Sequence, residues 1–354
     1  MEKLIIKKDN IKGLIKENEN GEYILEIEDG VQEVECYYYA LQNISELIIP
    51  DSVVSFKITG EYYDFWGNKI SDWLESQYIK KIKFSKNQEE IPKCTHCSNL
   101  EEVILPEKLK AVPESAFRRC SSLTKINIPN SVVVIGDDAF YGCEVLREII
   151  FSLNLKKVGK SAFEGCKMLK KIDLPEGVEE ISDNVFERCY SLDEVFIPST
   201  VKKIGKKIFW GHGHLSKLTI PIDVCAGDDV LTVREERIRG WILEDKKYPI
   251  KTDELNLLLP QDSEKIPSLY LHGLSVKKLT IPEGITDMSF VSHYYAPLRE
   301  LEEIIIPSTV TVVGGEDFCN YSQLKVVIFS EGLKVIGKST FEGCSQLQDR
   351  KSVV

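Results

Sequence analysis

A repeat of 23 residues is the feature that most constrains what this chain can fold into. Three consecutive copies read SAFRRCSSLTKINIP at 115–129, DAFYGCEVLREIIFS at 138–152 and SAFEGCKMLKKIDLP at 161–175. Phenylalanine recurs at this spacing at positions 117, 140, 163, 186 and 209, and cysteine at 97, 120, 143, 166 and 189. A unit this short cannot enclose a hydrophobic core, so the copies are expected to stack and share one.

Each copy is predicted to contain one strand, a short extended piece and a turn. The segments LEEVILP (100–106), LTKINIP (123–129), LKKIDLP (169–175) and LDEVFIP (192–198) alternate apolar and polar residues and end at proline, which lacks the N–H that a continued ladder needs. The V-x-x-I-G pattern that follows indicates an extended piece, and A-F-x-G-C a brief helical or 3-10 segment. Strands are predicted to begin near 44, 79, 100, 123, 146, 169, 192, 215, 254, 276, 301 and 324, with a fragment at 347.

Departures from the period divide the chain into four predicted regions. Residues 1–43 are expected to form an N-terminal cap, with a hairpin whose turn contains Asn20 and Gly21, because Asn-Gly favours tight hairpin turns. Residues 44–221 carry repeats with an aromatic-rich insertion at 51–78. An irregular, partly helical insertion at 222–253 precedes further repeats at 254–354, the last of them incomplete.

The unit L-x-x-I-x-I-P-x-x-V-x-x-I-G-x-x-A-F-x-G-C resembles the BspA-like bacterial leucine-rich repeat. The resemblance implies an α/β repeat, namely a right-handed solenoid with a parallel β-sheet on its concave face and short extended or helical segments on the other. It also implies a cell-surface or secreted protein that binds other macromolecules, with adhesion as the best-known role.

The recurring cysteine has two interpretations. Free cysteine is among the most buried residue types, and the position is Tyr321 or His212 in other copies, which favours a reduced thiol packed in the core. The alternative is that the cysteine binds a metal ion or acts as a redox group or nucleophile. Cys94-Thr95-His96-Cys97 and His212-Gly213-His214 contain zinc-ligand residue types, but they fall on core positions of the repeat, and no second C-x-x-C or H-x-x-x-H completes a set of four ligands. We expect no metal and no other cofactor.

Composition and motifs exclude several function classes. The net charge of −11 argues against binding to a phosphate backbone, and no apolar run is long enough for membrane insertion. No nucleophile-elbow, zinc-protease or phosphate-loop motif is present, so we expect no enzymatic activity. The start MEKLIIKKDNIKG does not read as a secretory signal, which predicts a cytoplasmic protein if the chain is complete, against the surface location that the resemblance implies.

The outward residues of the predicted sheet form two rows. The first alternates in charge through Glu102, Lys125, Glu148, Lys171, Glu194 and Lys217, which indicates support for strand register. The second row varies, and exposed Ile and Phe among charges are typical of a protein-contact surface, although β-branched residues also simply favour strands. The hypothetical binding row on the concave face is Ile104, Asn127, Ile150, Asp173, Phe196, Thr219, Ile305 and Ile328, with Thr280 in the same series.

The aromatic insertion is the second candidate contact surface. Its members are Tyr62, Tyr63, Trp66 and Trp73, which suit stacking on sugars or filling interface pockets, or alternatively closing the side of the solenoid. We therefore predict a non-enzymatic scaffold that binds a protein, and as the alternative a bacterial surface adhesin for host matrix protein or carbohydrate. An uncapped C-terminal end would allow self-association.

Overall fold

The structure is a computed structural model. It describes residues 3–7, 10–41, 43–59, 62–63, 69–70, 74–205, 207–209, 214–221, 250–258, 274–288, 291, 298, 300–347 and 349–352. Two compact units are present: the first comprises Met1–Lys171, Glu180–Ser191 and Ile208–His212, and the second Ile172–Glu179, Leu192–Lys207 and Gly213–Val354.

Short strands account for nearly all regular structure in the first unit. They are β1 (Lys3–Ile6), β2 (Ile15–Glu17), β3 (Tyr23–Glu26), β4 (Glu33–Tyr37), β5 (Ile44–Ile48), β6 (Ser55–Thr59), β7 (Tyr62–Tyr63), β8 (Lys69–Ile70), β9 (Lys81–Lys83), β10 (Glu102–Ile104), β11 (Ala111–Val112), β12 (Lys125–Asn127), β13 (Val134–Ile135), β14 (Glu148–Ile150), β15 (Lys157–Val158) and β17 (Glu180–Ile181). Two 3-10 helices span Ile11–Gly13 and Tyr38–Leu41.

The second unit also consists of strands, three of which have seven to nine residues. They are β18 (Glu194–Phe196), β19 (Lys203–Ile204), β20 (His214–Pro221), β21 (Ile250–Leu258), β22 (Leu274–Thr280), β23 (Glu303–Ile306), β24 (Val312–Val313), β25 (Val326–Phe329), β26 (Val335–Ile336) and β27 (Asp349–Ser352), while β16 spans Lys171–Asp173. The strands predicted from the L-x-x-I-x-I pattern are all present. The strand predicted to start near 254 is β21, which begins at Ile250.

Parallel pairing joins successive coils within each unit. In the first unit β10, β9, β5 and β3 pair in parallel, and β2 and β3 form the antiparallel hairpin that Asn20 and Gly21 predict. A second row of parallel strands is formed by β11, β13, β15 and β17, from the V-x-x-I-G segments. In the second unit β18, β20, β21, β22, β23, β25 and β27 pair in that order, all parallel.

Alternation along each strand explains this arrangement. In LTKINIP the side chains of Ile126 and Ile128 are 1% and 3% exposed, whereas Lys125 and Asn127 between and beside them point to solvent. Because successive side chains of a strand point to opposite faces, the apolar set of every copy enters the same shared core. The strand period of the sequence therefore determines which residues remain available outside.

The A-F-x-G-C segments are turns, so the prediction of brief helices at these places is wrong. Each turn contains two left-handed residues, such as Asp138 (φ 54°) and Gly142 (φ 69°), and a right-handed helix cannot pass through them. The turn also bonds outward to the next coil, since the Phe140 and Gly142 N–H groups donate to the carbonyls of Ala162 (2.8 Å) and Glu164 (2.7 Å). These bonds to the next coil alternate with i→i−3 bonds inside the turn, such as that from the Cys143 N–H to the Phe140 carbonyl (3.1 Å).

The two side-chain ladders of the repeat lie in the core. Phe117, Phe140, Phe163, Phe186 and Phe209 stack face to face at centroid distances from 5.2 to 6.0 Å. Each ladder cysteine bonds to the preceding coil: the Sγ of Cys143 and of Cys166 donate to the carbonyls of Phe117 (3.2 Å) and Phe140 (3.4 Å). The same position is filled in the second unit by Tyr321, whose hydroxyl donates to the Val291 carbonyl at 2.9 Å.

Candidate binding surfaces

The ladder cysteines are buried thiols that form no disulfide. Cys97, Cys120, Cys143, Cys166 and Cys189 are 0% exposed, as is the neighbouring Cys94, and all are free. Burial raises the pKa of the Cys143 and Cys189 thiols from the ordinary 9.0 to about 12. A thiol is a metal ligand or nucleophile only as the thiolate, so these side chains pack as small apolar groups.

The Cys94–Cys97 segment has a partly exposed histidine beside its two buried thiols. The Nδ1 of His96 lies 3.8 Å from the Glu75 carboxylate, and burial lowers the pKa of this histidine. Within the part of the chain that the structure describes, no group of three or more His, Cys, Asp and Glu side chains is placed to hold a metal ion. His212 lies outside the described residues, and His214 begins β20.

The first outward row is held in intrachain ion pairs. Lys125 lies opposite Glu148 in the register, with a 2.7 Å contact between Nζ and Oε1. In the second unit Lys217 lies 3.4 Å from Glu254, and Lys278 lies 3.1 Å from Glu303. The alternation thus extends beyond the predicted members to Glu46, Lys81, Glu254, Lys278 and Glu303.

These additional charges do not follow the 23-residue spacing, so the repeat period alone does not locate them in the sequence. The signal that locates them is local: a charged residue, an apolar residue, a variable residue and a second apolar residue, as in Glu254-Leu255-Asn256-Leu257. This pattern persists where the length of the coil changes, because strand pairing preserves the alternation of faces and not the length of the connection.

The second outward row of the first unit presents apolar side chains to solvent. Ile104 and Ile150 are each 48% exposed, and Asn127, directly opposite Ile150, is also exposed. Lys83 lies opposite both Ile48 and Ile104 and belongs to the same row, although the sequence interpretation did not include it. We call Lys83, Ile104, Asn127 and Ile150 the outward strand face of the first unit.

The corresponding row of the second unit is less exposed. Asp173 is exposed, Phe196 is half-buried, and Ile305 and Ile328 are half-buried and directly opposite each other. Thr219 is only 7% exposed, so the expectation of an exposed contact residue is wrong there. Its side chain is short, and in the strand register it lies between the larger residues Phe196 and Asn256.

The aromatic insertion is only partly described. Tyr62 and Tyr63 form β7, which pairs antiparallel with Lys69 and Ile70 of β8. Trp66 and Trp73 lie outside the described residues, as does most of the 222–253 insertion. No helix among the described residues has the length and apolar character needed to cross a membrane.

Comparison with known proteins agrees with the repeat architecture. The model of the BspA type leucine rich repeat region, which has six copies, matches residues 24–143, 110–226 and 251–351. Among curated proteins, none matches this sequence.

Several solved structures are similar. A leucine-rich repeat protein from Bacteroides ovatus is 19% identical with a TM-score of 0.35, over 94% of this chain and 79% of that one. A leucine rich repeat protein from T. pallidum is 22% identical with a TM-score of 0.36, over 66% of this chain and 93% of that one. A leucine rich cell surface protein from Faecalibacterium prausnitzii is 15% identical with a TM-score of 0.29, over 96% and 93%. Values this low carry no inference about ligand or location.

Proposed function

This chain belongs to the BspA-type leucine-rich repeat family, and on that premise we propose that it is a non-enzymatic scaffold that binds a protein through its outward strand face. Repeats of this family are generally non-catalytic interaction scaffolds. The observation that carries the proposal is the contrast between the two outward rows. In the first row the side chains are paired with one another, and in the second, Ile104 and Ile150 remain 48% exposed.

The chemistry of this face suits a protein partner. Exposed isoleucines surrounded by charged residues resemble the apolar centre and polar rim of a protein interface. Side chains on a paired sheet are also held rigidly, which lowers the entropy that binding must overcome. In the second unit, Phe196, Ile305 and Ile328 offer a second, less exposed apolar row, and Asp173 adds a charge.

Replacing Ile104 and Ile150 together by Ser tests the proposal. The double variant is expected to fold normally, because both side chains point to solvent. Its affinity should fall at least tenfold for a partner that the wild-type protein retains from lysate or matrix extract. The matched control replaces Val133 and Leu153 by Ser, since these apolar residues are 41% and 68% exposed in the same unit and lie off this face. Equal loss in both variants, or no loss in either, would contradict the proposal.

The alternative is an adhesin that binds host matrix protein or carbohydrate at a bacterial surface. The family resemblance motivates it, and Tyr62, Tyr63, Trp66 and Trp73 are the residues it would use as a second contact surface. The test is binding of labelled protein to immobilised glycans. The alternative is favoured if Tyr62→Ser with Tyr63→Ser abolishes this binding and the Ile104 and Ile150 changes leave it unaffected. Fractionation of the source cells separates a surface location from a cytoplasmic one.

Self-association is proposed through the coil that contains Phe341. Ile336 of β26 is 43% exposed, whereas the equivalent Ile135 and Ile181 are 0% and 1% exposed. A second copy that stacks one of its coils against Ile336 would bury this side chain as Ile135 and Ile181 are buried. Light scattering over a range of concentrations should show a dimer for the wild type and a monomer for Ile336→Lys, and a wild-type monomer throughout would contradict self-association.

A further inference from the structure

Two exposed cations lie on adjacent coils of the first unit. Arg147 and Lys170 each follow the buried leucine with which the strand segment of their coil begins. The rings of Phe140 and Phe163, which belong to the same two coils, stack with centroids 5.2 Å apart, so the backbones of Arg147 and Lys170 are separated by about one strand spacing. Neither cationic side chain forms an ion pair or a hydrogen bond with any of the described residues.

The other lysines of the same row, among the described residues, are held in ion pairs. The residue before each member of the first row forms a third outward row, to which Arg147 and Lys170 belong. The paired lysines of this row and their partners are Lys80 with Glu22, Lys277 with Asp253 (2.7 Å), and Lys325 with Glu302 (2.6 Å). Arg147 and Lys170 instead bring like charges together on neighbouring coils, which destabilises the free protein.

Nearby acidic side chains are engaged elsewhere. Glu144 and Glu148, on the same coil as Arg147, each contact a lysine outside the third outward row, at 2.8 and 2.7 Å. Asp193, the next member of the row, belongs to the second unit, where its carboxylate accepts from the Ser216 N–H at 3.1 Å. Two adjacent cations thus retain all of their side-chain donors in a chain whose net charge is −11.

Exposed apolar side chains flank the two cations along the strand direction. Met168 is 37% exposed and comes two residues before Lys170, and Ile150 is 48% exposed and comes three residues after Arg147. We call these four residues the cationic patch. Met and Arg are enriched at protein interfaces, and apolar contacts around a charged group exclude water from it when a partner docks. An inorganic anion would leave both apolar side chains in water, so the patch suits a protein segment better.

We propose that the cationic patch receives one acidic side chain from an extended segment of the partner protein. The two oxygens of a single carboxylate can accept from Arg147 and Lys170 together. In an extended peptide the side chains at i−2, i and i+2 point to the same side, about 7 Å apart. Apolar residues two positions from the acid therefore lie nearest Met168 and Ile150. The inference rests on the proposed function, because Ile150 belongs to the outward strand face, and it adds the charge that the partner must carry.

Ligand-observed NMR of peptide binding to the full chain tests the proposal. The probe is Leu-Ser-Glu-Ser-Leu with both ends blocked, and the matched probe has Gln in place of Glu. We expect a Kd of about 1 mM for the Glu probe and at least tenfold weaker binding of the Gln probe, since only the former makes charge-assisted contacts. Arg147→Gln and Lys170→Gln should each weaken binding of the Glu probe about tenfold.

The substitution Lys170→Glu separates a binding role from a structural one. It places opposite charges on adjacent coils, so the melting temperature of the free protein should rise by about 1 °C while binding of the Glu probe is lost. Lys277→Glu is the matched control in the same row. It breaks the contact with Asp253, so it should lower the melting temperature and leave probe binding unchanged.

Several results would overturn this inference. They are equal binding of the two probes, unchanged binding in Arg147→Gln and Lys170→Gln, weaker binding in Lys277→Glu, no binding of either probe, and a melting temperature of Lys170→Glu at or below that of the wild type. Displacement of the Glu probe by inorganic phosphate at a tenth of the probe concentration would assign the patch to a phosphate ligand instead. None of these results decides the proposed function, which depends on the Ile104 and Ile150 double variant and the partner retained from extract.

Discussion

At the scale of single residues, the close approach of neighbouring coils determines which positions of the repeat accept a side chain. A Cβ placed on Gly159 would lie 2.6 Å from both the Asp137 nitrogen and the Gly136 carbonyl carbon. Gly136 is in the same situation, 2.6 Å from the Glu114 nitrogen. These neighbours are backbone atoms and cannot rotate away, so glycine is required at positions 136 and 159.

Gly159→Ala is therefore expected to destabilise the protein by about 1–3 kcal/mol, the usual cost of overpacking. Urea unfolding followed by circular dichroism measures it. Gly13→Ala is the matched control, because nothing lies within 4 Å of the added methyl group there. An equal and small effect of both substitutions would show that the coils do not approach as closely as described.

The buried thiols predict a loss of stability at alkaline pH. The pKa of Cys143 is about 12 in the folded protein against 9.0 ordinarily, so between these values the unfolded chain has released a proton that the folded chain retains. The free energy of unfolding then falls as pH rises, because the unfolded state binds fewer protons. Cys143→Ala should make this decline shallower between pH 9 and about 11. A slope identical to that of the wild type would contradict a buried protonated thiol.

At the scale of the strand, paired charges on the first outward row support the register of the sheet. Lys125 and Glu148 are directly opposite and 2.7 Å apart, but both are about half exposed, so solvent screens their attraction. The row therefore contributes a few tenths of a kcal/mol per pair, and its larger effect is to disfavour registers that bring like charges together.

Reversing one charge in this row should expose that effect. Lys125→Glu places like charges opposite each other and is expected to cost about 0.5–1 kcal/mol in low salt, and less in 1 M salt. The neutral variant Lys125→Gln should cost less than half as much. Thermal unfolding of the three proteins at two salt concentrations measures this, and identical costs for Glu and Gln would mean that charge does not act on the register.

The sequence predicts strands well and turns poorly, for a physical reason. In segments such as LTKINIP, apolar and polar residues alternate and so show directly which side chains enter the core. Every strand predicted from this alternation is present. The sequence predicts a brief helical or 3-10 segment at A-F-x-G-C, whereas the turn found there also depends on hydrogen bonds to the next coil, such as Gly142 N–H to the Glu164 carbonyl. Thr219 is a second difference, since it occupies an outward position of the strand pattern but is only 7% exposed.

At the scale of the whole molecule, strand pairing continues where the sequence period fails. β20 pairs directly with β21 along its length, from His214 opposite Lys251 to Pro221 opposite Leu258, although the residues at 222–249 separate them in the sequence. The charged row continues across the same junction from Lys217 to Glu254. The repeat is thus recognised by its strand, and the connection between strands is free to vary.

Replacing residues 224–247 by a Gly-Ser linker of the same length should leave the second unit folded. The expected cost is small, because the pairing of β20 with β21 is specified by their own residues and loop-closure entropy depends only weakly on sequence at constant length. Amide hydrogen exchange in β20 and β21 measures the outcome. Loss of protection in these strands, with protection elsewhere retained, would show that the inserted sequence holds them together.

The central claim is that the outward strand face of the first unit contacts a partner protein, and site-specific photo-crosslinking tests it most directly. A photoreactive residue is placed at Asn127, between the coils of Ile104 and Ile150, and in a second protein at Leu153, which is 68% exposed off the face. We expect one partner to crosslink at position 127 and not at position 153. This crosslink should disappear when Ile104 and Ile150 are also replaced by Ser. Crosslinking to the same partner with equal yield at both positions, or only at 153, would contradict the claim.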